Sequence, residues 1–302
     1  MKIKLTYIEH SGFLCETDGQ YLLFDYFKGE IPPMPGTKPI FVFASHAHYD
    51  HFSEEVFRLS EQYGRQRVQY VLSSDIDDID DIQERLGDRI TFMKPHEKQI
   101  FACGDGGSVR GGKAGVFKES GINNACAGSP QLFVETLRSN DAGVAWLLNL
   151  GGKYIYHAGD LQLWDWPGEP EADNLHYKNT FEAELRVLKS CLGADKPEGR
   201  ANKPEGRADK PEGGAGSWKA GGIDLAMLVL DERQGQSAFL GIDYFLSHIR
   251  THYAVPMHGF GHYTLYSAYQ AHIKELQERG SIPQSAVYLP PDHAGQTFEL
   301  II

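Results

Sequence analysis

Residues 41–52 read FVFASHAHYDHF. Phe41, Val42 and Phe43 form a short continuous apolar run after Pro39, the pattern of a buried strand. The run breaks at Ala44 and Ser45, and His46, His48, Asp50 and His51 follow within six positions. Residues two apart on extended backbone project to the same side, so His46 and His48 can hold one ion together. If the chain turns into a helix at Asp50, that carboxylate and His51 swing toward a second point beside the first. Neutral imidazole nitrogens with a carboxylate form a ligand set for zinc, manganese or iron. The plain alternative is a loop that happens to hold histidines. A buried strand feeding such a cluster argues for metal.

His-Ala-His-Tyr-Asp-His fits an H-x-H-x-D-H signature, and through it the chain resembles the metallo-β-lactamase superfamily. HAGD (His157 to Asp160) and PMH (Pro256 to His258) look like that family's bridging aspartate and last histidine. With HSGF (His10 to Phe13), the chain is similar to the branch that contains ascorbate-6-phosphate lactonase-like hydrolases. The likeness covers nearly the whole chain in order. It implies an α+β fold, a four-layer αββα sandwich forming one domain over residues 1–302, with the site between two sheets. It also implies a division of ligands: His46 and His48 for a first ion, Asp50, His51 and His258 for a second, Asp160 for both. Asp50 is the catalytic candidate, as the group that orients the attacking water.

One departure stands out. The family's usual third histidine, expected in the loop before the strand near Gly143, is missing. That loop, Thr136 to Asp141, has no histidine, and Asp141 is the best local substitute unless it only caps the turn. An oxygen ligand there should weaken the first site for zinc and favour a harder ion such as manganese. The family likeness puts the first turn at the cleft, which makes His10 a candidate for metal or cleft. His10 reads equally well as a histidine packed at a strand end. His262, which follows a backbone turn allowed by Gly259 and Gly261, is a further cleft candidate. His157 reads as packing or support rather than a ligand.

The composition suits a soluble globular chain: 41% hydrophobic, 23% charged, in 302 residues. No apolar run approaches membrane-spanning length, and MKIKLTYIEH lacks a signal-peptide core. Cys15, Cys103, Cys126 and Cys191 are far apart and form no CxxC pair, which fits reduced thiols in a cytoplasm. A net charge of −12 argues against broad binding to nucleic acid or anionic membranes. A small anionic substrate remains compatible, since divalent ions make a site locally positive.

Other motifs fail on inspection. DIDDIDDIQERLGD (75–88) suggests a calcium loop, but Asp80 stands where glycine is needed and Leu86 where glutamate is needed. It reads better as an acidic helix start. Gly107, Gly112 and Lys113 satisfy G-x-x-x-x-G-K, but Ala114 supplies no hydroxyl. The glycine-rich stretch 103–129 reads as a mobile surface loop over the cleft. ADKPEGR-ANKPEGR-ADKPEGG (Ala194 to Gly214) has no apolar seam, so 194–222 reads as a disordered low-complexity insert. No G-x-S-x-G elbow occurs and no cysteine is placed as a nucleophile.

The leading function is therefore metal-dependent hydrolysis of a small ester, lactone or phosphoester. The cofactors are one or two divalent ions, zinc first, with manganese or iron as alternatives. Two rival readings are an iron-dependent redox enzyme on the same scaffold and a non-catalytic binding protein with a degenerate metal site. The oligomeric state is not legible.

Overall fold

The structure is a computed structural model that describes residues 1–77, 79–103, 109–113, 131–193 and 221–302. Its strands are β1 (Lys2–Glu9), β2 (Gly12–Thr17), β3 (Tyr21–Phe24), β4 (Ile40–Ala44), β5 (Val68–Ser73), β6 (Ile90–Met93), β7 (Lys98–Cys103) and β8 (Val109–Lys113). They continue with β9 (Gln131–Arg138), β10 (Val144–Leu150), β11 (Lys153–His157), β12 (Ile223–Val229), β13 (Thr251–Met257), β14 (Val287–Tyr288) and β15 (Thr297–Ile301). The helices are α1 (Leu59–Tyr63), α2 (Asp80–Leu86), α3 (Glu171–Cys191), α4 (Leu240–His248) and α5 (Tyr263–Glu278). One sheet runs β15-β1-β2-β3-β4-β5-β6, the other β14-β13-β12-β11-β10-β9-β7-β8.

The alternation of side chains along β4 shows how the layers stack. Phe41 and Phe43 point inward, into a core shared with Phe101, Leu132, Val134 and Trp146 of the second sheet. Ile40, Val42 and Ala44 point outward, under Val56, Phe57 and Leu59. Because β4 runs parallel to both β3 and β5, it is covered on both faces and reads as unbroken apolar sequence. On the far side, Phe181, Leu185, Ile242, Phe245, Tyr269 and Ile273 from α3, α4 and α5 close the second sheet. The order is helix, sheet, sheet, helix: the αββα sandwich implied by the family likeness, held by apolar burial between layers.

Local departures have local causes. Phe181, Leu185, Leu188 and Leu192 fall at helical spacing, yet the helix that carries the first three begins ten residues before Phe181, at Glu171 behind Pro170. Its first half is largely exposed and polar, so no apolar stripe announces it. GIDYFLSHIRTHY (241–253) reads as one helix, with Ile242, Phe245 and Ile249 on one face, but α4 stops at His248, because Thr251 onward pairs in parallel with β12. Within the expected glycine-rich loop, Val109–Lys113 is a strand paired with β7; residues 104–108 and 114–130 lie outside the described residues. The backbone of Gly112 and Lys113 is thus a sheet edge and not a phosphate loop. No helix among the described residues is long and apolar enough to cross a membrane.

The KPEGR repeat falls in 194–220, outside the described residues. It leaves α3 after Gly193 and returns at Gly221 before β12. Loop-closure free energy changes by only about 1 kcal/mol for such a shortening. Replacing residues 194–214 with a short Gly-Ser linker is therefore expected to leave the melting temperature and metal content nearly unchanged. A large loss of either in calorimetry or elemental analysis would show that the repeat packs on the domain.

Candidate metal centre

The candidate ligands gather where the parallel strands of both sheets end. Asp25 follows β3, Ser45 and His46 follow β4, Asp160 follows β11, Asp231 follows β12 and His258 follows β13. Parallel strands deliver successive loops to one edge, and the crevice beyond their carboxyl ends is the usual place for a site. His51 is brought back by a tight turn in which its N–H and that of Phe52 both donate to His48 O. Asp75 Oδ2 accepts from Ala47 N at 3.1 Å, so the acidic stretch that failed as a calcium loop pins the histidine loop.

Three imidazoles are held by their Nδ1 atoms. His51 Nδ1 lies 2.8 Å from Asp25 Oδ2, His258 Nδ1 lies 3.0 Å from Asp231 Oδ2, and His46 Nδ1 lies 3.0 Å from Ser45 Oγ. Ser45 Oγ in turn donates to Asp25 Oδ2 at 2.5 Å, and Ser45 N donates to Asp25 Oδ1 at 2.7 Å. A proton on each Nδ1 leaves the Nε2 lone pair free, and these three face Asp160. Asp160 Oδ1 is 3.1 Å from His51 Nε2 and 3.3 Å from His258 Nε2; Oδ2 is 3.6 Å from His46 Nε2. A carboxylate or hydroxyl behind each imidazole is the outer arrangement that orients metal-binding histidines.

The fit to metal rests on groups that the protein leaves incomplete. The Nε2 atoms of His10, His46, His51 and His258 and Asp160 Oδ1 are buried and have no hydrogen-bond partner among the described residues. Left so, the neutral His10 and His46 nitrogens would each cost about 1–3 kcal/mol, against the roughly 5–15 kcal/mol that holds a domain folded. Divalent cations satisfy exactly such converging lone pairs. Ligand atoms fall within 4.8 Å of one another in three overlapping sets: His10, Asp50, His51 and His258; His46, His51 and Asp160; His48, Asp141 and Asp160.

The backbone is strained around this point. Among the described residues, non-glycine positive φ occurs at His10, Asp25, His96, His258 and Phe260, and all but His96 adjoin the cluster. Such conformations cost about 1–3 kcal/mol each and gather at functional sites. Gly143 shows how tightly the loops meet: a Cβ there would stand 2.0 Å from Ser45 O. Val144 N donates to that same carbonyl at 2.9 Å.

The electrostatics follow from burial and pairing. Burial lowers His46 and His10 to about 4, keeping both neutral. Burial would also lower His51, but Asp160 and Asp25 outweigh it and raise His51 well above the ordinary value. Asp160 and Asp231 do the same for His258. Burial would raise Asp160, yet His51 and His258 hold it well below the carboxylate range. A metal entering here displaces protons from His51 and His258, so affinity falls as pH falls. The stability that the proton-bearing His51 and His258 lend to the metal-free protein has the opposite slope. It is fully present below about 6.5, the unfolded value, and lost as pH rises through their raised folded values.

The structure brings His46, His51, Asp160 and His258 together in the interior, with Asp50 half-buried beside them. His48 and Asp141 stand on the exposed side, with ligand atoms close to Asp160. Asp141 therefore reaches the cluster, and only its backbone N–H is used by the turn, donating to Ser139 Oγ at 3.2 Å. Burial and neighbouring Asp160 raise its carboxyl pKa. His262 is not brought in: it precedes α5, is exposed, and its Nδ1 pairs with Glu232 Oε1 at 3.0 Å. His157 is wholly buried support, with Nε2 donating to Ser11 O and Nδ1 accepting from Gly159 N. Trp164 donates to Asp160 O at 3.1 Å, and Trp166 stacks on it 5.1 Å away. Sequence reasoning missed Asp25, Ser45 and Asp231. The available signal was a carboxylate at the end of an apolar strand, in YLLFD and LVLD.

A family model described as "Beta-lactamase superfamily domain" matches residues 4–164, more than half of the chain. That span holds every residue of the cluster except Asp231 and His258. A "UPF0173 metal-dependent hydrolase" from Desulforamulus reducens is 30% identical over 164 residues, covering 53% of this chain and 63% of the relative. The chain thus matches less than two thirds of that relative's length. Among solved structures, the metallo hydrolase Igni18 from Ignicoccus hospitalis aligns over 100% of both chains with a TM-score of 0.56 and 15% identity. The diiron β-hydroxylase CmlA from Streptomyces venezuelae aligns over 99% of this chain and 54% of its own, with a TM-score of 0.51 and 13% identity. These two likenesses concern the fold. The family match covers the H-x-H-x-D-H loop and the Asp160 strand end, and by it the chain belongs to the beta-lactamase superfamily, in its metallo-β-lactamase fold.

Proposed function

We propose that this protein is a metal-dependent hydrolase of small esters, lactones or phosphoesters, working with two divalent ions of unequal affinity. The observation that carries this reading is the set of buried imidazole lone pairs converging on Asp160. His46, His48, Asp141 and Asp160 would hold the outer ion; Asp50, His51, His258 and Asp160 the inner one. Bound there, such ions supply Lewis acidity and activate water at neutral pH.

The remaining roles belong to the chain itself. Asp50 stays ionised: burial would raise its pKa, but His10 and His51 outweigh that and lower it. An ionised Asp50 accepts a proton of the attacking water and aligns it. Trp164 and Trp166 wall one side. Arg233 bonds Asp231 through Nε and Nη2 and lies over the rings of Trp166 and Phe260 at 5.6 and 5.0 Å. The Phe260 ring lies 4.1 Å from that of His10, tilted by 46°. A half-exposed guanidinium beside the centre suits an anionic substrate. Metal content of protein purified without chelators, paired with a hydrolysis screen across these three classes, tests the reading. Metal with no turnover in any class, or no metal at all, overturns it.

Each set has two imidazoles and two carboxylates, but His48 and Asp141 of the outer one are exposed, whereas His51 and His258 of the inner one are buried and fixed through Nδ1. The outer ion is therefore the weaker, and Asp141 in place of an imidazole favours manganese over zinc there. Metal titration is expected to show two separable steps, and Asp141→Ala to remove the weaker one. Two equally tight ions, indifferent to Asp141→Ala, would contradict this assignment. The same oxygen-rich set also suits iron, and visible absorption of the loaded protein separates that redox reading from hydrolysis.

A further inference from the structure

We infer that His10 is a ligand of the inner ion, so that this centre holds three imidazoles and ties the first sheet to the second. The inference rests on the metal reading above and adds a ligand that the H-x-H-x-D-H pattern does not contain.

His10 sits in the tight turn between β1 and β2, with φ 56. Its ring is 1% exposed, and neither Nδ1 nor Nε2 has a hydrogen-bond partner among the described residues. That sets it apart from His46, His51 and His258, each fixed through Nδ1. The nearest charged group is Asp50, with Oδ2 3.4 Å from His10 Nε2, longer than a good N–H···O bond. Phe27, His258 and Phe260 surround the ring, with centroids at 5.7, 4.3 and 4.1 Å. A histidine buried only for packing leaves both nitrogens unsatisfied where a leucine would leave none.

The ring direction is set by the backbone. His258 N donates to His10 O at 3.0 Å, so the two left-handed residues lock together and their rings lie side by side. His10, Asp50, His51 and His258 form the one four-residue ligand set among the described residues. The first three come from the sheet of β1–β6 and His258 from the sheet of β9–β13. An ion held by all four crosses the layer boundary.

The test uses His10→Asn and His10→Gly in the full chain. Asparagine tolerates left-handed backbone and glycine adopts it freely, so both substitutions keep the turn; melting curves in chelator check the fold. Zinc and manganese are titrated against a chromophoric competitor. The tighter step is expected to weaken by more than about 100-fold, beyond the usual effect of losing an outer-shell partner. X-ray absorption at one equivalent of zinc should count three imidazoles in the wild type and two in His10→Asn. The rise in melting temperature on adding that first equivalent should shrink as well. If both folded variants keep wild-type affinity for the first ion, the inference fails, even where activity falls, since His10 would then only position Asp50. A wild type that binds no ion overturns the metal reading itself, and this inference with it.

Discussion

Asp160→Ala is expected to empty both centres. Asp160 is the one residue whose two oxygens face both groups of ligands: Oδ1 toward His51 and His258, Oδ2 toward His46. Its exposed-side neighbours, His48 and Asp141, share it as well. Loss of an outer partner of a ligand costs about 10–100-fold in metal affinity, and loss of a shared ligand should exceed that at each centre. The buried imidazoles would then lack both their counter-charge and their metal. Removing one partner of a buried charged pair costs about 3–5 kcal/mol. The expected result is metal below stoichiometric detection by elemental analysis, no hydrolysis, and a lower melting temperature. Retention of even one tightly held ion would show that Asp160 is not shared.

Asp50→Ala should separate chemistry from folding. Asp50 is only half-buried, the neutral His10 lies 3.4 Å from it, and no buried donor depends on it as His51 depends on Asp25. The variant is expected to fold with a near-normal melting temperature and keep the outer ion. Hydrolysis should fall by about 10²–10⁴-fold, the range typical of a positioned acid–base group. Asp50→Asn retains the shape and one acceptor oxygen but no negative charge, and should recover little. Measuring kcat separately from KM decides the matter: the loss should sit in kcat. Full activity in Asp50→Ala, with any substrate found by the screen, would overturn the role.

Asp25 shows what kind of information the linear chain withholds. It accepts from Ser45 N, Ser45 Oγ and His51 Nδ1 and is wholly buried, yet in the sequence it is one aspartate at the end of YLLFD. Its partners lie 20 and 26 positions away, and only the parallel pairing of β3 with β4 brings them together. Asp231 is alike: it supports His258 from 27 positions away, across the β12–β13 pair. His262 errs in the opposite direction. The glycines around it suggest a turn into the cleft, but the start of α5 carries it outward to Glu232.

The family likeness implied the layered class of the fold, while the sequence by itself determined the strand β4 and the ligand-rich loop behind it. Those features are written in short-range patterns: an apolar run, residues two apart on extended backbone, ligands within six positions. The family likeness added Asp160 and His258. Tertiary structure alone decided which lone pairs converge, that Asp25, Ser45 and Asp231 hold the imidazoles from behind, and that Asp141 and His10 reach the same cluster from opposite sides. The physical reason is distance along the chain. A site at the ends of parallel strands is assembled from loops separated by whole crossovers, and no local period records which of those loops will meet.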